Sequence, residues 1–158
     1  LEDLDMFQDI KDVCFDFKFE NFGTSNPSIS YMCIRQSNLP AETMRLLKSG
    51  EISIKKQTES NYNEYYKEFI CSSYLRVARD IFELLTIDMI FVHAMSEILN
   101  PATGHLENQT ILSVQVPRKT LQGLNLKQID PEMALSNFNH NISFTSPKGF
   151  TPVEKLHA

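Results

Sequence analysis

The sequence lacks several features that would point to a specific class of protein. Its 158 residues include only five glycines and seven prolines, too few for a linker-like or collagenous chain. It has no run of 18 uncharged apolar residues, so we expect no membrane span. No two glycines lie close together, which excludes a glycine-rich phosphate-binding loop. The composition that remains, 42% hydrophobic and 22% charged, is typical of an ordinary globular domain.

Cysteine is scarce as well, and its spacing excludes the usual cysteine-based sites. Cys14, Cys33 and Cys71 are odd in number and far apart, with no Cys-x-x-Cys pair and no Cys/His ligand spacing. Their neighbours are apolar, so we interpret them as reduced, buried thiols. Because the sequence also begins with no recognisable signal peptide, we expect a cytoplasmic protein.

Positive charge is sparse and scattered. The chain has 15 basic and 20 acidic residues, a net charge of −5. Residues 1–20 hold seven acids and two bases, so they account for the whole excess, and the longest basic run is Lys55-Lys56. Such a chain offers no electrostatic attraction to duplex nucleic acid or anionic lipid, and we expect neither as a partner.

Hydrophobic periodicity predicts a full set of helices and strands. The strongest pattern is an uninterrupted helical repeat from Tyr62 to Leu85, which contains no glycine or proline. In chain order, the other predicted elements are a helix to residue 12, strands at 13–20 and 29–35, a helix at 38–49, strands at 51–55, 89–99 and 110–117, short helices at 119–124 and 130–137, and short strands at 141–144 and 150–153. Residues 100–109 are predicted to be a polar connection.

This order predicts an α+β fold. Consecutive strands joined by short turns favour antiparallel pairing, which leaves the helices to cover one face of the sheet. We therefore predict a mostly antiparallel sheet packed against one long central helix and shorter helices. We expect a single domain over residues 1–158, part of a longer protein because the first residue is Leu1 rather than Met. The residues expected to form its core are Ile70, Val77, Ile81 and Leu85 of the helix, with Val92 and Leu112 of the sheet.

Histidines and carboxylates give weak candidates for a catalytic site. His93 and Glu97 are four residues apart on one side of a predicted strand, so they could act as a base and its orienting group. Their separation of about 13 Å along a strand is too long for a direct hydrogen bond. His105 could join them only through the fold. The alternative is a half-buried histidine on a sheet face beside exposed loop residues. Ser113 has no nucleophile-elbow glycines around it.

A metal site of the nuclease type is a further candidate. Asp16 and Lys18 would share one face of the strand at 13–20, with Asp12 upstream. Two acid-x-lysine triplets occur in the sequence, against about 1.3 from composition alone, so the pattern is no stronger than chance. The competing interpretation is a solvated acidic surface, and we predict no cofactor.

An aromatic cluster at the start of the long helix predicts a contact surface. Tyr62, Tyr65, Tyr66 and Phe69 span more than the one stripe that a helix packed on a sheet can bury. Tyrosines at interfaces commonly contribute much of the binding energy. We predict self-association or a protein partner here. The alternative is that the rings cover one end of the core.

No motif decides the function. The leading hypothesis is a non-catalytic interaction or regulatory module within a cytoplasmic, microbial protein. The alternative is a metal-dependent hydrolase or nuclease that uses carboxylates and histidine. A third hypothesis is sensing of a small ligand under the long helix. The sequence alone does not decide whether the protein is an enzyme.

Overall fold

The computed structural model describes residues 14–35, 42–46, 49–50, 52–56 and 58–157. The strands are β1 Cys14–Glu20, β2 Ser28–Cys33, β3 Glu42–Leu46, β4 Ile52–Lys56, β5 Met89–Asn100, β6 His105–Pro117, β7 Asn139–Ile142, β8 Phe144–Thr145 and β9 Gly149–Phe150. The helices are α1 Glu59–Leu84, α2 Arg118–Gln122 and α3 Pro131–Ala134, the last followed by a 3₁₀ turn at Leu135–Asn137.

The main sheet has five strands in the order β1-β2-β5-β6-β7. Three of its four pairings are antiparallel, and β2 pairs with β5 in parallel. The long crossover that a parallel pair requires is supplied by the segment that contains the β3–β4 hairpin and α1. The predicted α+β class is confirmed, with a mixed rather than purely antiparallel sheet.

Helix α1 covers one face of this sheet. In-register apolar residues from the three central strands form that face, with Ile29 opposite Val92 and Val92 opposite Val114. Ile70 and Ile81 of α1 are completely buried against it. Burial of three of the four predicted helix core residues is thereby confirmed, while Leu85 is only partly buried at the edge. The completely buried side chains shared between helix and sheet include Ile29, Tyr31, Ile70, Tyr74, Val77, Ile81, Ile90, Val92, Leu112, Val114 and Val116.

Both ends of α1 are capped from outside the helix. At its start, the Thr58 hydroxyl accepts the backbone N–H of Asn61 at 3.2 Å. The last turn contains no basic residue. A cation comes instead from the first residue of α2, where the Arg118 guanidinium donates to the carbonyls of Phe82 at 2.9 Å and of Leu85. This charge satisfies carbonyls that the helix leaves without partners and complements the helix dipole.

Two predicted elements are wrong. The helix expected at 38–49 is absent, because residues 42–46 form β3 and pair with β4 across a turn that contains Gly50 at φ +84°. Local helix propensity is weak and yields to hydrogen bonds with a neighbouring strand. The connection expected at 100–109 is shorter, because β6 begins at His105. This end of the hairpin is exposed on one face and only partly buried on the other, and its sequence shows no alternation of apolar and polar residues. The helix expected before residue 13 lies outside the described residues.

Candidate functional site

The face of the sheet opposite α1 is polar, yet its centre is buried. Side chains that alternate with the core residues point to this face, and four of them are small or titratable. Their exposed fractions are 7% for Ser28, 6% for Ser30, 4% for His93 and 0% for Ser113. Polar groups buried to this degree need hydrogen-bond partners. Another part of the chain must therefore cover these side chains.

The cover is the C-terminal segment, residues 153–157, which runs across this face without forming a strand. The N–H of Val153 donates to the Thr110 carbonyl at 2.9 Å. The N–H of Leu156 donates to the Ser113 hydroxyl oxygen, also at 2.9 Å. Lys155 reaches over β2, with Nζ 3.5 Å from the Ser30 hydroxyl. The segment is therefore held to the sheet by hydrogen bonds from two backbone N–H groups and one side chain.

His93 occupies the centre of the covered face. Its Nδ1 lies 2.8 Å from Oγ of Ser113. Ser113 Oγ also accepts the Leu156 N–H. Because a hydroxyl oxygen has two acceptor sites, Nδ1 can bond to Ser113 in either neutral tautomer of the ring. Among the described residues, Nε2 has no hydrogen-bond partner. Every side-chain nitrogen or oxygen of these residues that is fully enclosed does have one. Nε2 must therefore reach open space.

That open space is a cavity of about 410 Å³ between the turn after β1, the sheet and the C-terminal segment. Its lining residues are Glu20, Asn21, Thr24, Asn26, Ser28, Phe91, His93, Lys155, Leu156 and His157. The volume is within the range of small-molecule binding sites in proteins. The lining is polar for the most part, with the Phe91 ring as an apolar surface that stacks on His93 at a centroid distance of 6.4 Å.

The wall formed by the turn after β1 is well determined by its sequence. Asn21 adopts φ +59°, a left-handed conformation that asparagine tolerates better than most residues. The Thr24 hydroxyl donates to the Asn21 carbonyl at 2.6 Å and accepts the Asn26 N–H at 3.2 Å. Beyond the turn, the N–H of Phe91 donates to the Pro27 carbonyl, which fixes the wall to β5.

The electrostatics of the cavity keep His93 neutral. Burial lowers the pKa of His93 from 6.5 to about 4, and the positive charges of Lys155 and His157 act in the same direction. At pH 7 the ring is therefore neutral. A base with so low a pKa is also a weak acceptor of protons from a substrate.

The predicted catalytic residues are not brought together. Glu97 lies on β5 on the same side as His93, but its carboxylate is 3.6 Å from Nε of Arg35, and it does not line the cavity. His105 is exposed at the start of β6. The structure places Ser113 rather than either of these residues beside His93. The catalytic role of His93, Glu97 and His105 stays a prediction.

The acidic candidates for metal binding are also separate from the cavity. Asp12 lies outside the described residues. Asp16 is exposed at an irregularity in the β1–β2 pairing, with φ +52°. Within the described ranges, no group of three His, Cys, Asp or Glu side chains could hold a metal ion.

The aromatic cluster divides between core and surface. Tyr66 is 4% exposed, and its hydroxyl donates to the Ile34 carbonyl at 2.8 Å. Phe69 stacks on Tyr66 at 6.2 Å and, like Tyr62, is partly buried. Tyr65 is 45% exposed. Any contact surface here is therefore formed by Tyr62, Tyr65 and Phe69, because Tyr66 belongs to the core.

Sequence reasoning missed most of the cavity. The sequence around Ser113 raises only the question of a nucleophile, and no motif marks Glu20, Lys155 or His157 as site residues. One signal was present: Ser113 is a polar residue between Leu112 and Val114 in a strand whose neighbours are apolar. A polar residue at such a position predicts a buried partner. Nothing in the sequence pattern of residues 153–157 predicts that they cover the sheet.

Comparison with known proteins gives no family. No family model fits the chain, and no curated protein and no solved structure is found to be similar to it. No helix within the described ranges combines the length and the apolar character that crossing a membrane demands.

Proposed function

We propose that this protein is a non-catalytic regulatory or interaction module that binds a small polar ligand in the cavity beside the C-terminal segment. The observation that carries the proposal is His93, which is 96% buried and yet presents Nε2 to the cavity with no partner among the described residues. Nε2 is the polar atom through which this largely buried side chain meets the cavity, so a ligand in the cavity could form a hydrogen bond with it.

The contacts of Ser113 favour binding over catalysis. A serine nucleophile must present its oxygen to a substrate, and Ser113 is completely buried under the Leu156 backbone. Its oxygen accepts the Leu156 N–H and lies 2.8 Å from Nδ1 of His93. The contact with Nδ1 therefore holds the imidazole in one orientation, which is the support a binding residue needs.

A ligand in this cavity would act on the C-terminal segment directly. Lys155, Leu156 and His157 line the cavity, and the same segment is joined to the sheet through Ser113 and Thr110. Occupancy of the cavity is therefore coupled to how firmly residues 153–157 are held. This coupling is the regulatory element of the proposal.

Two further parts of the proposal concern location and self-association. We place the protein in the cytoplasm, since Cys14, Cys33 and Cys71 are all free and buried. We also propose that Tyr62, Tyr65 and Phe69 form a contact between two copies of the chain. The exposed ring of Tyr65 supports this contact.

A fragment screen by NMR tests the proposal. Several hundred small polar fragments would be added one by one to the full chain at pH 7, with the His93 ring and Leu156 amide signals as readouts. We expect a subset to shift both signals, and to lose this effect in His93→Phe, which removes Nε2. His140→Phe is the matched control, because His140 does not line the cavity.

The screen also distinguishes the alternative. If no fragment moves the two signals in the wild-type chain, the binding proposal is wrong. If Mn²⁺ broadens the His93 signals together with those of Glu97 or His105, the metal-dependent hydrolase or nuclease gains the support it now lacks.

A further inference from the structure

The cavity carries two opposite charges on two different walls. Glu20 is the last residue of β1, and Lys155 belongs to the C-terminal segment. Among the described residues, neither of them takes part in an ion pair, although both line the same space. Charges that face one cavity and do not neutralise each other are available to a ligand.

The register of the sheet separates the two charges by a distance that a small molecule can bridge. Glu20 lies opposite Ser28 in the β1–β2 pair, and Lys155 reaches Ser30. These two serines are two residues apart on β2, which corresponds to about 6.6 Å along the strand. The spacing of the two serines places the two charges at different ends of the cavity, where they do not form an ion pair with each other, and it suits one molecule with two charged ends.

The hydrogen-bond donors are grouped at the Lys155 end. Ser30 lies opposite His93 in the β2–β5 pair, so the Lys155 ammonium and the His93 ring occupy the same part of the cavity. In the tautomer protonated at Nε2, the ring adds an N–H donor to the Lys155 ammonium, and two such donors match a carboxylate. The other end of the cavity has the Glu20 carboxylate and the side chains of Asn21 and Asn26, which match an ammonium group.

We propose that the cavity binds a small zwitterion of the α-amino acid class, with its carboxylate on Lys155 and His93 and its ammonium group on Glu20. This assignment rests on the proposed function. A simple anion would face repulsion from Glu20, and a simple cation would face repulsion from Lys155. The cavity of about 410 Å³ leaves room for a side chain, and the Phe91 ring offers it an apolar surface.

Calorimetric titration of the full chain tests the ligand class. The probes are glycine, L-leucine, L-glutamine and L-phenylalanine, each compared with its N-acetyl form, which has no ammonium group, and its amide, which has no carboxylate. We expect at least one free amino acid to bind, and both modified forms of it to bind at least about tenfold more weakly, because each loses a charge-assisted hydrogen bond.

Charge variants locate the two ends of the ligand. Glu20→Gln should abolish the preference for the free amine over the N-acetyl form. Lys155→Gln should abolish the preference for the acid over the amide. Glu154→Gln and Lys148→Gln are the matched controls, because neither residue lines the cavity, and both should bind like the wild type.

The outcomes separate the ligand class from the proposed function. If polar fragments bind at His93 but no amino acid does, or if an N-acetyl form binds as tightly as its parent, the zwitterion assignment is wrong and the binding module stands. If neither fragments nor amino acids bind, both proposals fail. Loss of binding in the two control variants would also contradict the assignment.

Discussion

The two faces of the central sheet are built from the same strands and have opposite chemistry. On the helix side, apolar residues pack against α1, and the buried tyrosine hydroxyls bond to a serine or to a backbone carbonyl, as Tyr31 does to Ser73 at 2.6 Å and Tyr74 to the Pro131 carbonyl at 3.0 Å. On the other side, Ser30, His93 and Ser113 are buried under a peptide segment and next to a cavity. Successive side chains of a strand point to opposite faces of the sheet. Neighbouring residues of one strand therefore belong to the apolar core and to the polar site.

The faces also differ in what holds their covers in place. Helix α1 is anchored by the burial of side chains such as Ile81, and the C-terminal segment by hydrogen bonds such as that from Leu156 to Ser113. The stabilisation that comes from apolar burial does not depend on pH, whereas the stability of a segment that covers a buried histidine does. The two faces should therefore differ in how much a mutation changes stability and in how that change depends on pH.

The largest effect is expected on the helix side. Ile81→Ala should lower the free energy of unfolding by about 3–4 kcal/mol, because it removes a completely buried side chain and leaves a cavity. Urea denaturation measures this loss. The control is Leu84→Ala, since Leu84 is 39% exposed on the same helix and should change stability by less than about 1 kcal/mol. A loss below 1 kcal/mol at Ile81 would show that α1 is peripheral.

On the other face we predict a dependence on pH. The pKa of His93 is lowered from 6.5 to about 4 by burial, so the unfolded chain binds the proton more readily. The stabilisation is present above pH 6.5 and is lost as the pH falls from 6.5 to 4, by about 3 kcal/mol. The measurement is urea denaturation at pH 7 and at pH 4.

Carboxylates titrate in the same range, so the prediction concerns a difference between variants. His93→Gln should lose about 3 kcal/mol less than the wild type between the two pH values, whereas His140→Gln should follow the wild type. Equal pH dependence in the wild type and His93→Gln would mean that the ring is not held neutral by its surroundings.

A smaller effect on stability is expected at the C-terminal end of α1. Arg118→Met should cost about 2 kcal/mol, because the carbonyls of Phe82 and Leu85 lose a charged donor. Arg118→Lys should recover part of this, since an ammonium group cannot donate to several carbonyls with the planar geometry of a guanidinium. Thermal unfolding of the wild type, Arg118→Lys and Arg118→Met measures the order of their stabilities. Equal stability of Arg118→Met and the wild type would remove the proposed cap.

The smallest effect on the folded chain is expected at Tyr65, whose side chain is 45% exposed. Tyr65→Ser should leave the stability of the monomer within about 0.5 kcal/mol. It should abolish self-association in sedimentation velocity experiments. Tyr66→Ser is the contrast, because Tyr66 is buried and its loss should destabilise the fold. A wild-type chain that stays monomeric at high concentration would contradict the proposed contact.

The comparison of faces also explains how much could be predicted from sequence. Alternation in residues 89–99 correctly placed Val92 on the helix face and His93 on the other, and the helical repeat located α1 to within three residues at its start. Both signals are local. The partner of His93, however, is Ser113 of another strand, and its cover comes from Leu156 near the chain end. Contacts between distant segments leave no periodic pattern.

The same reasoning accounts for the wrong helix at 38–49. The local sequence of residues 38–49 favours a helix, whereas the hydrogen bonds that make Glu42–Leu46 a strand are formed with β4. The parallel pairing of β2 and β5 was missed for an equivalent reason, since only strands joined by short turns were considered. What sequence reasoning predicts well here is which residues face which way, and what it misses is which segments meet.

The most direct test of this account is the pair of nitrogen chemical shifts of the His93 ring, recorded at pH 7 before and after addition of the free amino acids and polar fragments. We predict a neutral ring, protonated at Nε2 and accepting at Nδ1, whose Nε2 signal moves when a ligand enters the cavity. A ring that is protonated at both nitrogens, or an Nε2 signal that no compound moves, would contradict the claim that this face of the sheet is a binding site.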